Sequence, residues 1–137
     1  MTENDKPKDE LLAKGLAMMD EVYGPGVSDM TAMVADYPYP GETVRHLFGE
    51  IWNRPHLSIR DRRLLVLGAT AMLGRPDLVE VQVRGAILNN ELDDNQLEEV
   101  ALQLAFYAGW GNTTAVWKGI QEAKKKVAEE RAAQAKT

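Results

Sequence analysis

The chain has 137 residues, 45% of them hydrophobic and 27% charged, with a net charge of −5. That is one domain's worth of chain in an ordinary globular balance, and its acidity speaks against nucleic-acid binding, which shows a basic stripe. It has no cysteine and two histidines, which excludes disulfides, thiolate metal sites, iron–sulfur clusters and cysteine nucleophiles, and argues against a histidine-rich metal site.

No apolar run approaches the roughly 18 residues of a membrane span, and the opening MTENDKPKDE is too polar for a signal peptide. A cytoplasmic protein is expected. Residues 1–8 are polar and expected to be disordered. From Asp9, Leu11, Leu12, Leu16, Met19 and Val22 recur at helical spacing until Gly24-Pro25-Gly26 breaks the pattern. Ser28 or Asp29 caps a short helix, and the Tyr37–Gly41 segment forces an extended turn. Val44, Leu47, Phe48, Ile51 and Trp52 then form an apolar stripe on a helix over 42–52.

Ser58 and Asp61 resemble a capping box for a helix over 59–73, whose run LLVLGATAML implies burial on most sides. Arg60, Arg62 and Arg63 fall in its first turn, where the helix dipole disfavours cations. They pair with acids nearby or on another subunit, or they help hold an anionic ligand. Gly74 and Pro76 separate this helix from one over 76–90, where Glu80 and Arg84 stand in the favoured i,i+4 order. Asn89-Asn90 turns the chain, and Asp93 with Gln96 forms a second capping-box pattern. The last helix starts near Asn112-Thr113, and Thr113, Val116, Ile120, Ala123 and Val127 make a packing seam against a helix of this chain or of a neighbour. Residues 129–137 are expected to fray into solvent.

Two features stand out as a candidate site. Gln82 is a lone amide on an otherwise apolar face, and Tyr107-Ala108-Gly109-Trp110-Gly111 is an aromatic and glycine cluster at a helix end. Gln82 is either a satisfied core amide or a ligand contact, and Tyr107 and Trp110 are core or interface residues or pocket walls. If Gln82 only faces a wet pocket, Gln82→Leu costs little stability.

The ordered set of Phe48 to Leu57, Arg60 to Leu73, Glu80-Val81-Gln82-Val83-Arg84 with Ala86, and Tyr107-Ala108-Gly109 resembles the carboxymuconolactone decarboxylase family, within the alkylhydroperoxidase D-like superfamily, over roughly residues 42–120. The resemblance implies an all-α, single-domain bundle of about six to seven helices over 9–128. It also implies a homo-oligomer, a trimer or a hexamer. The activity implied is decarboxylation of γ-carboxymuconolactone in aromatic catabolism, without a cofactor or metal. Peroxidase relatives use a Cys-x-x-Cys pair, which this chain lacks. Gln82 stands where the family usually has histidine, Glu91 where it usually has the glycine of the inter-helix turn, and Gly111 where it usually has proline.

Decarboxylation leaves charge on the carbon that loses CO₂, so a site must delocalise that charge and then protonate the carbon. An amide cannot exchange that proton. With Gln82 so disqualified, the resemblance turns attention to Glu50, which partial burial would keep protonated, and to His46 one turn earlier. Each has a plainer reading as a structural ion pair or surface contact. Arg54 is the clamp for a substrate carboxylate or a helix-end ion pair. Gln82 is left to position the small carboxylate, with Trp52, Tyr107 and Trp110 as walls. The rival readings are a ligand-binding oligomer without turnover and a structural oligomer with a filled pocket.

Overall fold

The computed structural model describes residues 6–137, so most of the segment expected to be disordered lies outside the described residues. The protein is all-α: seven α-helices and one π-helix, with no strand among the described residues. The helices gather into two compact units, Met1–Ile59 and Arg60–Thr137. No linker composition marks that boundary in the sequence.

The first unit contains α1 (Lys6–Tyr23), α2 (Ser28–Ala32), α3 (Pro38–Glu42) and a π-helix (Thr43–Ile51). Its core joins Met18, Met19 and Val22 of α1 to Val44, Phe48 and Trp52. Phe48 stacks on Trp52 at 5.9 Å and meets the edge of Tyr23 at 5.6 Å. The α-helix expected over 42–52 is therefore wound more loosely, and the Trp52 amide donates to the Leu47 carbonyl five residues back at 2.9 Å. This explains a difference in the stripe. An α-helix groups residues three and four apart, which would have buried Leu47 and Ile51. The wider turn keeps the four-residue steps Val44, Phe48 and Trp52 inside, with Gly49 beside them, and leaves Leu47 and Ile51 exposed. Asn53 Nδ2 closes the helix end by donating to the carbonyls of Phe48 (2.9 Å) and Gly49 (3.3 Å).

Two glycines set how closely α1 and the π-helix cross. A Cβ on Gly15 would sit 1.9 Å from the Val44 carbonyl oxygen, and one on Gly49 would sit 2.8 Å from the Leu11 carbonyl oxygen.

The second unit contains α4 (Ile59–Met72), α5 (Pro76–Leu88), α6 (Asp94–Ala108) and α7 (Trp110–Ala135). Its core is built from Leu67 and Ala71 of α4, Val79, Val83 and Ala86 of α5, Leu97 and Ala101 of α6, and Val116, Ile120 and Ala123 of α7. The seam on α7 is buried within the chain. Gly119 passes so close to α5 that an added Cβ would lie 2.7 Å from the Pro76 carbonyl oxygen. The capping box is formed: Gln96 N donates to Asp93 Oδ1 at 2.8 Å and Asp93 N to Gln96 Oε1 at 2.9 Å. Asn90 takes the left-handed conformation, with φ 55°.

Three local expectations are corrected. The α4 run is not buried all round, since Leu65 and Met72, seven residues apart, are exposed. Glu80 and Arg84 do not pair with each other; Glu80 bonds Lys126, and Arg84 bonds Glu130 at 2.9 Å, both on α7. The last helix starts at Trp110 rather than near Asn112, because Gly109 at φ 89° makes the whole break.

Gly15→Ala and Gly68→Ala make the same chemical change inside helices, but nothing lies within 4 Å of a Cβ on Gly68. Gly68→Ala is expected to raise stability by about 0.5–1 kcal/mol. Gly15→Ala is expected to lower it by about 1–3 kcal/mol, because backbone must move. Urea denaturation reads both, and a stabilising Gly15→Ala would contradict the close crossing.

Candidate functional site

In the first unit, α3 ends where the π-helix begins, and the four-residue step that buries Val44 and Phe48 turns Glu42, His46 and Glu50 outward. His46 Nε2 lies 2.8 Å from Glu42 Oε2, and its Nδ1 lies 2.8 Å from Glu50 Oε1. Carboxylates only accept, so both contacts are hydrogen bonds together only when both ring nitrogens carry protons. The ring thus sits between two acids, with a carboxylate oxygen facing each of its nitrogens. The burial expected for Glu50 is absent: its side chain is 46% exposed and that of His46 57%. Arg54 is exposed just beyond the helix end. Trp52 is buried against Phe48 rather than open as a wall.

In the second unit, Gln82 is 5% exposed and faces the interior. Its partner is Arg63, the largest fully buried side chain. Arg63 Nη1 donates to Gln82 Oε1 at 3.1 Å and to the Gln82 carbonyl at 3.0 Å. On its other edge, Nε and Nη2 donate to the two Glu91 carboxylate oxygens at 2.7 and 2.9 Å. Asn89 Nδ2 donates to the same carboxylate at 3.0 Å, and Arg60 Nε donates to the Glu91 main-chain carbonyl at 3.0 Å. The guanidinium therefore meets a carboxylate in fork geometry and an amide at right reach, with its charge neutralised inside the unit.

An open cleft of about 400 Å³ adjoins this network, between α4 and α6. Leu64, Leu92, Val100 and Leu104 make its apolar lining, and Arg60, Gln96, Glu99 and Gln103 its polar groups. Tyr107 and Trp110 stay on the surface of the second unit; Trp110 meets the edge of Phe106 at 5.5 Å rather than lining a pocket with Tyr107.

The expected residues thus divide between the units. His46, Glu50, Trp52 and Arg54 belong to the first, and Gln82, Tyr107 and Trp110 to the second. Sequence reasoning missed Glu42, although its i,i+4 step to His46 was visible. It left Arg63 open among three arginines. Arg63 shares a phase with buried Leu67 and Thr70, and a cation on a buried phase signals a partner. The identity of that partner, 28 residues away, has no local signal.

Residues 40–122 match the model of the carboxymuconolactone decarboxylase family. The chain belongs to this family. Over 65 residues it is 35% identical to 4-carboxymuconolactone decarboxylase of Acinetobacter baylyi (strain ATCC 33305 / BD413 / ADP1), a stretch that covers 47% of this chain and 48% of that relative. The match thus spans about half the length of the relative. Gln82 and Glu91 meet on the same guanidinium.

Gln82→Leu is accordingly expected to be costly rather than neutral, at about 1–3 kcal/mol, because it strips an acceptor from a buried donor. Glu91→Gln is expected to cost more, about 3–5 kcal/mol, because it leaves the Arg63 charge buried without its counter-ion. Urea denaturation of both variants checks the order; a neutral Glu91→Gln would show that the pair does not hold the unit together.

Proposed function

We propose that the protein is a cofactor-independent carboxy-lyase acting on a small carboxylated lactone, a ring-cleavage product of aromatic catabolism. The observation that carries this reading is the family match over residues 40–122, which includes the Glu42–His46–Glu50 row. The bond to CO₂ breaks with its electron pair left on carbon, the pair spreads into the adjacent carbonyl system, and a proton then arrives at carbon. His46 is the proton donor in this proposal. With the ring protonated, Glu50 holds Nδ1–H in place while the proton on Nε2 leaves its contact with Glu42 for the substrate carbon. Arg54 is the cation for the substrate carboxylate. Gln82 acts through Arg63, which its amide oxygen engages. A homo-oligomer, trimer or hexamer, is proposed as the working form, supported by the exposed Leu102, Phe106, Tyr107 and Trp110 on and beside α6.

A second reading has one observation in its favour. The position where the family usually has its histidine is an amide, 5% exposed and bonded to Arg63. That suits a member of the family that binds a small acid without turning it over.

A metal-free, thiol-free assay on γ-carboxymuconolactone separates the two. The wild-type chain is expected to release product, and His46→Ala to lose about 10²–10⁴-fold in rate, the usual contribution of a positioned proton donor. Turnover gained only on Gln82→His would mean that the ordinary acid of the family is needed and that this chain serves another purpose. No turnover by either, with thermal stabilisation by the lactone, would establish the binding reading instead.

A further inference from the structure

We infer that the cleft between α4 and α6 is a binding site for a small monocarboxylate with an apolar body, whose carboxylate is received by Arg60. The inference does not rest on decarboxylation: the cleft lies wholly in the second unit and contains none of His46, Glu50 or Arg54.

The argument begins with how Glu91 is used. Its carboxylate is fully engaged by Arg63 and Asn89, so only its main-chain carbonyl reaches Arg60. That one bond tethers the Arg60 guanidinium by Nε at the cleft wall. Among the described residues no carboxylate lies within salt-bridge distance of Arg60, and its Nη groups make no hydrogen bond. A part-buried cation on the cleft wall is thus held through Nε, and its Nη groups keep their donors for a carboxylate.

The rest of the wall selects what the carboxylate is attached to. Leu64, Leu92, Val100 and Leu104 offer an apolar surface, and a cleft of about 400 Å³ takes a ligand of one or two rings. An inorganic phosphate could reach Arg60 and the Gln96 and Gln103 amides but would leave the apolar side chains without a partner. Glu99 shares the wall, and Arg60 is the one cation on it. A second negative charge on the ligand would therefore have no partner and would face a like charge.

Equilibrium binding to the intact chain tests this with non-reactive probes. Benzoate is expected to bind at least about tenfold more tightly than benzamide, its neutral counterpart, which is the scale of one charge-assisted fork. Terephthalate is expected to bind more weakly than benzoate. In proton–nitrogen NMR spectra the benzoate-induced shifts should centre on Leu64, Val100 and Leu104. Arg60→Gln should remove the benzoate preference. Gln103→Trp, at an exposed position that fills the cleft without touching Arg60 or the core, should weaken benzoate and benzamide alike, and it keeps the test decisive if Arg60→Gln does not fold. Equal affinity for benzoate and benzamide, shifts centred away from α4 and α6, or unchanged benzoate affinity in Gln103→Trp would each overturn the assignment.

Discussion

The second unit depends on one guanidinium. Arg63 has no exposed surface, yet it is the fifth residue of α4, close to the end where the helix dipole disfavours a cation. Removing a charge from water costs several kcal/mol, and only a close counter-ion with the remaining donors satisfied offsets that cost. The Glu91 carboxylate and the two Gln82 acceptors meet both requirements. Because those partners come from α5 and from the turn before α6, satisfying one side chain fixes three segments together. The left-handed Asn90 that aims the turn, and Asn89 beside it, serve the same end.

That network also bears on chemistry. An imidazole at position 82 would put a group able to exchange a proton next to this guanidinium. The amide accepts from it and goes no further. Glu91 supplies the counter-charge. Both side chains spend their polar atoms on holding the unit together. The one imidazole that the structure arms with carboxylates is His46, on the other unit.

Much of the fold was legible from residue spacing. The breaks at Gly24 to Gly26 and at Gly74, the Asp93–Gln96 capping box, the left-handed Asn90 and the α7 seam all follow from local chemistry. What was not legible shares one cause: partners distant in the chain, or a backbone state that spacing does not encode. Nothing local to Arg63 names Glu91. Glu80 and Arg84 satisfied a sequential rule, but α7 offered each a better partner. The stripe from Val44 to Trp52 fitted a helix, yet Leu47 and Ile51 were assigned to the wrong side because an α-helical pitch was assumed. Of the candidate site, the His46–Glu50 contact was foreseeable as a step of four residues. The exposure of Glu50 and the burial of Trp52 depended on the pitch.

The π-helix has a further consequence. Residues four apart are neighbours on an ordinary α-helix too, so the contacts of His46 do not need the looser winding. What the winding sets is the phase of the segment against the core: Val44, Phe48 and Trp52 stay inside while Leu47 and Ile51 turn out. Loss of a single residue from this segment would shift every later side chain around the axis, so that residues after the gap face the core where they now face solvent. Insertions and deletions, more than substitutions, are the changes to which such a phase is vulnerable.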